Sequence, residues 1–242
     1  MDNNLVGYGK ENIERAIILF KGMIERKIKK EWFFQASMNF ALSDRLLEYT
    51  ARSGCRLVFI GVEGVDVPGL KSINKRLNLN LGVENYDRMF RRIKQHGIAV
   101  LGAFMYGMET DTPTIIKERT DYIIESDVDA IQITYITPLL GTRWFEGLKN
   151  EGRLLYTNFP KDWEHYTFAE VIYEPGSISA LELAQARHKI INRLFSYRTI
   201  IYKFFKTLYT TKNLITALWA YSFNRSYRLA TVKSKKIGLK TL

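Results

Sequence analysis

Polar side chains and glycines directly follow the apolar segments of this chain, where a sheet would present them to a ligand. Gln35 and Ser37 end one apolar segment, and Glu63 follows the next. A carboxylate directly after a buried strand is costly unless a partner uses it, and Glu63 could accept hydrogen bonds from ligand hydroxyls. A helix cap, or an ion pair with Lys71 or Lys75, explains Glu63 equally well, so both interpretations stay open.

Two further groups share this placement. Gly102, Tyr106 and Gly107 lie in or after the third apolar segment, and Thr137 and Pro138 follow the fourth. Gly107 either lets the backbone approach a ligand closely or forms an ordinary turn, because glycine serves both purposes. These positions predict a binding site, but none of their residue types assigns a catalytic role. No metal site is predicted either.

Alternating strand and helix patterns position these residues. Strands are predicted at 32–36, 56–62, 98–104 and 130–135. The spacing of apolar residues and the N-caps Ser43 and Thr112 predict helices between the strands. Strands that are apolar on both faces are typical of parallel sheets, which bind ligands at the carboxyl ends of their strands. Four such units are too few for a closed eight-strand barrel, which takes about 250 residues.

The first residues predict further elements upstream. Residues 1–5 resemble the loop that follows a strand, and the strand at 32–36 would have an unpaired edge. Because natural sheets usually cover such edges, we expect part of the barrel to precede this chain.

The pattern changes towards the C-terminus. Residues 148–178 are rich in aromatic and turn-forming residues without a period, which predicts an extension at the barrel mouth. Ser179 and Glu182 form a capping box, and helical patterns follow it to Lys233, from where the chain is expected to fray. The sequence thus divides into a partial barrel at 1–147, the extension at 148–178 and a basic helical region at 179–242.

Composition excludes several classes of protein. Of the 242 residues, 46% are hydrophobic and 25% are charged, which excludes a wholly disordered chain. The single cysteine, Cys55, excludes a disulfide framework and any site built from several thiolates of this chain. No apolar run is long enough for a membrane span and no signal peptide is recognisable, so we expect a cytoplasmic protein.

The positive charge is confined to the helical region. The net charge is +11, but residues 1–180 carry 23 basic and 24 acidic residues, and residues 181–242 carry 13 basic residues and one acid. Basic helices with aromatic residues suit peripheral contact with the inner face of an anionic membrane. Nucleic acid is a less expected partner. A docked helical cap with solvated charges explains the pattern as well, and Asp127 and Asp129 are also expected to be solvated.

Taken together, the segments resemble the middle of a radical S-adenosylmethionine (SAM) enzyme of the type that carries a cobalamin (B12)-binding domain. The resemblance depends on the order and spacing of segments rather than on one motif, and it runs from Asp2 to about Arg228. The matching segments are residues 35–37, 53–63, 73–78, 96–107, 137–142, 150–154, 195–197 and 224–228.

The resemblance implies an α/β fold, an incomplete TIM barrel of parallel βα units followed by a helical region, which binds SAM across its strand ends. It places residues 2–4 near the methionine moiety, Glu63 near the ribose and the backbone of 102–107 near the adenine. In such enzymes a reduced 4Fe–4S cluster cleaves SAM to a 5′-deoxyadenosyl radical, and members of this type often act on lipid-like or tetrapyrrole-like small molecules. The expected SAM-contacting residues are Asp2, Asn3, Asn4, Gln35, Ser37, Glu63, Gly102, Tyr106, Gly107, Thr137 and Pro138.

The sequence departs from this family in one respect. The three cluster cysteines, spaced Cys-x3-Cys-x2-Cys, have no counterpart, and Cys55 is expected to be a small buried residue. The cobalamin-binding domain has no counterpart either. We therefore expect either the C-terminal core portion of a longer enzyme, inactive alone, or a decayed relative of such enzymes. In the first case, the cluster and cobalamin come with an upstream segment or a partner chain. The alternative is a non-catalytic binding module whose basic helical tail associates with a membrane surface.

Overall fold

A computed structural model describes residues 4–238, and for 232–238 it describes only the helical backbone. Its centre is a parallel sheet with the strand order β1-β2-β3-β4. The strands are β1 (Trp32–Ala36), β2 (Cys55–Glu63), β3 (Ala99–Tyr106) and β4 (Ala130–Tyr135). All four predicted strands are therefore confirmed, and helices connect each strand to the next.

Ten α-helices surround the sheet within the described residues. They are α1 (Gly9–Glu25), α2 (Asp44–Arg52), α3 (Val67–Ser72), α4 (Arg76–Leu81), α5 (Tyr86–Gln95), α6 (Pro113–Glu125), α7 (Arg143–Asn150), α8 (Ala180–Leu194), α9 (Tyr197–Thr211) and α10 (Leu214–Gly238). In this part of the chain, no helix is both long and apolar enough to cross a membrane.

The predicted N-caps begin three of these helices. The side chains of Ser43 and Thr112 each accept a hydrogen bond from the backbone amide three residues further on. Ser179 and Glu182 form the expected capping box at α8. Because these side chains satisfy amides that have no partner inside the helix, α2, α6 and α8 begin where the sequence predicts.

The two faces of the sheet are covered differently. We call the face that carries Val58, Val100 and Phe104 the outer face, and the opposite one the inner face. The three outer residues belong to the main core, to which α1, α2, α5, α6 and α8 contribute. On the inner face, Ala220 of α10 packs in a smaller core with residues from three strands: Leu57, Ala99, Leu101 and Ala130. These residues lie in the amino-terminal halves of their strands, so α10 covers that half of the inner face.

The short helices α3, α4 and α7 were not predicted. Each has six to eight residues, which is about two turns or fewer and too short to show an amphipathic period. The boundary placed after residue 147 falls inside α7. The backbone of 233–238 continues α10, and the fraying expected from Lys233 stays a prediction.

The turn before β4 is buried. Asp127 and Asp129 are 5% and 1% exposed, so the expectation that they are solvated is wrong. The ammonium of Lys94 on α5 lies 3.5 Å from an oxygen of Asp127 and 3.1 Å from an oxygen of Asp129. Lys203 on α9, whose charge was expected to be solvated, is also buried and donates to two backbone carbonyls of this turn. Two helices distant in sequence thus converge on the turn, which local sequence does not reveal.

Candidate functional site

The carboxyl ends of β1 and β2 enclose a cavity of about 440 Å³, which we call the β1–β2 cavity. Three residues predicted to contact a ligand line it: Gln35, Ser37 and Glu63. The other lining residues were not assigned from the sequence: Tyr8, Ala36, Phe59, Gly61, Asn74, Lys75, Arg76, Leu77 and Asn78. The cavity therefore lies at the edge of the sheet where a parallel α/β fold binds its ligands.

The backbone at the end of β2 places the Glu63 carboxylate against Gly61. The pairing of β2 with β3 shifts register between these two residues, and Glu63 has a φ of 67°. A Cβ atom on Gly61 would lie 2.5 Å from Oε1 of Glu63, so an alanine at this position would force the end of the Glu63 side chain to move. The Lys75 ammonium lies 2.7 Å from the same oxygen, which confirms the ion pair considered from the sequence.

The N-terminal segment packs against the end of β1. The amide of Leu5 donates to the carbonyl of Gln35 at 3.1 Å. The Asn4 side-chain amide donates to the Ser37 hydroxyl at 2.9 Å, and the Tyr8 hydroxyl is also 2.9 Å from it. The structure therefore brings Asn4 to Ser37 at the end of β1, whereas Asp2 and Asn3 lie outside the described residues.

One carboxylate and two cations set the charge of the β1–β2 cavity. Lys75 and Arg76 line it with Glu63, and Arg76 Nε donates to the Asn74 side chain at 2.9 Å. Carboxylate oxygens accept hydrogen bonds from hydroxyls, and cations bind carboxylates. The cavity thus matches a ligand that carries both hydroxyl groups and a carboxylate. Residues 73–78 contributed to the family resemblance, but their types alone did not assign them to a site.

A second cavity of about 390 Å³, the β3–β4 cavity, lies beside the first. Its walls are mainly apolar and aromatic, with Met105 from β3, Trp144 from α7 and Tyr173 from the extension. The remaining lining residues are Ser72, Ile73, Asn74, Glu109 and Ile136. Because Asn74 lines both cavities, a ligand in one would lie next to a ligand in the other.

Polar contacts fix the edges of the β3–β4 cavity. The two carboxylate oxygens of Glu109 each lie 2.8 Å from Arg153 Nη2, and Arg153 also donates to the carbonyl of Glu174. The rings of Trp144 and Tyr173 meet edge to face with centroids 5.1 Å apart. These contacts attach the extension to the loop after β3, and the division of the chain at 148–178 stays a prediction.

Arg119 on α6 joins the loops that follow β2 and β3. Its guanidinium lies 2.9 Å from Asp66 and 2.7 Å from Asp111, and it also donates to the carbonyl of Met105. Arg119 is fully buried. Burial lowers the pKa of the guanidinium, but the hydrogen bonds to Asp111 and Asp66 outweigh burial and leave the pKa above its ordinary value. No sequence pattern connected these residues.

Two of the expected SAM-contacting residues on β3 face the outer core. A Cβ atom on Gly102 would contact Val128 and Phe104. The Tyr106 side chain is fully buried, and its hydroxyl lies 2.9 Å from the Thr120 hydroxyl. Since side chains alternate along a strand, Met105 faces the β3–β4 cavity instead. Only the backbone at positions 102 and 106 is left to contact a ligand, and such contact remains a prediction.

The remaining expected SAM-contacting residues on these strand ends are Gly107, Thr137 and Pro138, and the turns that hold them are fixed by hydrogen bonds within the chain. The Gly107 amide donates to Asp111 at 2.8 Å, and its carbonyl accepts a hydrogen bond from the Tyr173 hydroxyl. Thr137 and Pro138 are buried, and the Thr137 hydroxyl donates to the carbonyl of Tyr135. Neither cavity is lined by these three residues, and their contact with SAM stays a prediction.

The residues present do not fit a 4Fe–4S cluster. Among residues 4–238, no group of three or more His, Cys, Asp or Glu side chains is arranged to hold a metal. Cys55 is fully buried at the start of β2, the strand end opposite the cavities, and burial raises the pKa of its thiol. The prediction that Cys55 is a small buried residue is confirmed.

Comparison with curated proteins finds methyltransferases. No family model matches the chain. The chain is 28% identical over 201 residues to bacteriochlorophyllide d C-12(1)-methyltransferase of Chlorobaculum tepidum. The aligned region covers 83% of this chain and 41% of that protein. The chain is 24% identical over 156 residues to hopanoid C-2 methylase of Rhodopseudomonas palustris. This alignment covers 64% of this chain and 29% of that protein. The chain thus spans less than half the length of either relative.

Solved structures show the same fold. The cobalamin-dependent SAM radical enzyme OxsB superposes with a TM-score of 0.56 and 17% identity, covering 94% of this chain and 37% of OxsB. The radical SAM methyltransferase TsrM of Kitasatospora setae superposes with a TM-score of 0.54 and 14% identity, covering 76% of this chain and 40% of TsrM. The fold is therefore the parallel α/β partial barrel of cobalamin-dependent radical SAM enzymes. The two curated relatives named above are a methyltransferase and a methylase, so the sequence similarity is to methyl-transferring enzymes.

Proposed function

We propose that this chain is the SAM-binding and substrate-facing part of a radical SAM methyltransferase. The observation that carries the proposal is the β1–β2 cavity, where Gln35, Ser37 and Glu63 meet at the carboxyl ends of two parallel strands. The methyltransferase relatives and the fold of OxsB and TsrM support the same class of enzyme. When bound, SAM supplies an activated methyl group and an adenosyl moiety.

The charges of the β1–β2 cavity suggest how SAM is oriented. Glu63 accepts hydrogen bonds from the ribose hydroxyls, which suits an acceptor-only carboxylate. Lys75 and Arg76 bind the methionine carboxylate as charge-assisted donors. The Ser37 hydroxyl, held by Asn4 and Tyr8, contacts the methionine moiety. We assign binding and orientation to these residues and no proton transfer.

The β3–β4 cavity is proposed to hold an apolar small molecule. Met105, Ile136, Trp144 and Tyr173 supply apolar and aromatic surface, and Glu109 is the charged residue among those that line it. Apolar pockets with a few polar groups are typical of small-molecule sites. The names of two relatives give a bacteriochlorophyllide and a hopanoid as the molecules that they methylate, which supports a substrate of lipid-like or tetrapyrrole-like character.

The cluster and cobalamin are proposed to come from outside these 242 residues, in an upstream segment or a partner chain. Cys55 is the single cysteine here, and a 4Fe–4S cluster is held by several thiolates. Within the chain itself, the proposed contribution is to bind SAM, to place the substrate beside it and to exclude water from both cavities.

Equilibrium dialysis of the 242-residue chain with labelled SAM tests the proposal. We expect saturable binding that adenosine displaces, because both ligands present ribose hydroxyls to Glu63. Gly61→Ala should weaken binding severalfold, since its Cβ would displace the Glu63 carboxylate. Gly22→Ala on α1, where a Cβ meets nothing within 4 Å, is the matched control and should bind like wild type. Failure to bind SAM, or equal binding by the Gly61→Ala chain, contradicts the proposal.

A further inference from the structure

Helices α9 and α10 expose a cluster of apolar and aromatic side chains that the proposed SAM and substrate sites do not use. On α9, Ile201, Phe205 and Tyr209 follow one another at intervals of four residues and therefore share one face of the helix. Phe205 is 60% exposed and Tyr209 is 84% exposed. The other members of this α9–α10 surface are Tyr202, Leu214 and Leu218, which are also exposed.

The exposed cluster is not a consequence of loose packing. The opposite face of α9 is buried, with Ile200, Lys203 and Thr207 each at most 1% exposed. Phe204 stacks edge to face with Phe205, with ring centroids 5.2 Å apart, and with Tyr221 of α10, with centroids 5.9 Å apart. The two helices therefore hold the outward side chains on a fixed support, which favours a surface that contacts a partner.

The charged side chains of α9 and α10 are all positive, but the exposed Glu125 at the end of α6 lies next to α9, where its carbonyl accepts a hydrogen bond from Lys206. Arg198, Lys212 and Arg225 are exposed, and within the described residues none of the three is held in an ion pair. Glu182, at the start of α8, is the sole acid of residues 181–242. By contrast, Lys203 and Lys206 donate to backbone carbonyls of the buried turn before β4, and the Lys206 ammonium also lies 5.9 Å from the ring centroid of Tyr202 at the edge of this surface.

We propose that the α9–α10 surface binds an anionic lipid membrane, lying in the interface without crossing it. Aromatic and aliphatic side chains enter the headgroup boundary while the flanking cations bind anionic headgroups, which is the arrangement of interfacial helices. A protein partner at this surface would need acidic side chains opposite the three cations. A second copy of this chain would instead bring three like charges against three, which disfavours self-association through this surface.

Cosedimentation of the 242-residue chain with vesicles tests this inference. We expect at least about tenfold tighter binding to phosphatidylcholine vesicles that contain phosphatidylserine than to phosphatidylcholine alone, since each cation near an anionic surface strengthens binding. The preference should shrink at high salt, because salt screens the attraction. Equal binding to both vesicle types, or no binding to either, overturns the proposal.

Two variants separate the apolar from the charged contribution. Phe205→Ser with Tyr209→Ser should lower binding to the anionic vesicles about tenfold, through loss of buried apolar area. Arg198→Gln with Lys212→Gln and Arg225→Gln should remove the preference for phosphatidylserine. Ile18→Ser with Leu19→Ser, which removes exposed apolar side chains from α1, is the matched control and should bind like wild type.

Self-association is the competing outcome. All the substituted side chains are exposed, so unfolding curves of the variants should match the wild type, and sedimentation velocity reports the oligomeric state. A dimer that the Phe205→Ser and Tyr209→Ser chain no longer forms, without any vesicle preference, would assign the surface to a second copy and reject the lipid proposal. Because SAM binding is measured separately by dialysis, failure of this test leaves the proposed function intact.

Discussion

Glu63 faces the β1–β2 cavity while one of its oxygens pairs with Lys75 at 2.7 Å. If this carboxylate holds the ribose, Glu63→Gln should lower the affinity for SAM by about tenfold to a hundredfold, since hydrogen bonds to a charged group contribute roughly 1.5–3 kcal/mol. Isothermal titration calorimetry measures the change. Glu118→Gln, an exposed glutamate on α6, is the control and should leave Kd unchanged. An unaltered Kd for Glu63→Gln would remove Glu63 from the site.

Arg119 should be required for stability rather than for chemistry. Arg119→Met leaves Asp111, which is fully buried, without its guanidinium partner. Removing one partner of a buried ion pair costs about 3–5 kcal/mol in free energy of unfolding. Urea denaturation tests this, with Arg88→Met on the exposed face of α5 as the control. A loss below about 1 kcal/mol would mean that the loops after β2 and β3 do not depend on Arg119.

At the residue scale, the sequence predicted side chains that line a cavity better than it predicted ion pairs between distant parts of the chain. Gln35, Ser37 and Glu63 were identified because they follow apolar strands, and all three line one cavity. Arg119 was missed because Asp66 is 53 residues away in the chain. Gly102 was assigned to the right strand, but the alternation of side chains turns that position to the outer core.

The docking of α9 should depend on pH through Lys203. Burial, together with the nearby Lys206 and Lys94, lowers the pKa of this ammonium from 10.5 to about 7, although Asp129 and Asp127 oppose the shift. Between those values the unfolded chain holds a proton that the folded protein has released. The free energy of unfolding should therefore rise with pH from about 7 to about 10, and below pH 7 the full cost of the buried charge remains.

Urea unfolding across this pH range tests the contribution of Lys203. Lys203→Met should make the rise with pH shallower than in wild type, because the group that titrates differently in the two states is gone. Lys189→Met, at an exposed position on α8, should keep the wild-type dependence. If the Lys203→Met and wild-type curves run parallel, the buried ammonium does not titrate in this range.

The sequence predicted the elements that have strong local patterns. It did not predict that α10 covers the inner face of the sheet. Strands apolar on both faces and side-chain N-caps identified β1 to β4 and the starts of α2, α6 and α8. The packing of Ala220 against Leu57 and Ala99 depends on a contact between the last helix and the middle of the chain. An amphipathic pattern shows that a helix has a buried face but does not show what covers it.

At the scale of the whole molecule, the chain should bind SAM without assembling a cluster. Reconstitution with iron and sulfide under reducing conditions should yield no stoichiometric 4Fe–4S absorbance, since Cys55 is the single thiol and is fully buried. Cys55→Ser should behave in the same way. Cluster absorbance together with SAM cleavage would contradict this expectation and show that the chain holds a cluster without several thiolates of its own.

Hydrogen–deuterium exchange with and without SAM tests most directly whether the strand ends form one SAM site. We expect SAM to slow exchange in residues 35–37, 61–63 and 72–78, which line the β1–β2 cavity or directly adjoin it, while α1 and α8 exchange unchanged. Residues 105–109 should respond more weakly, because they lie at the adjoining cavity. Protection confined to other parts of the chain, or none at saturating SAM, would contradict a SAM site at these strand ends.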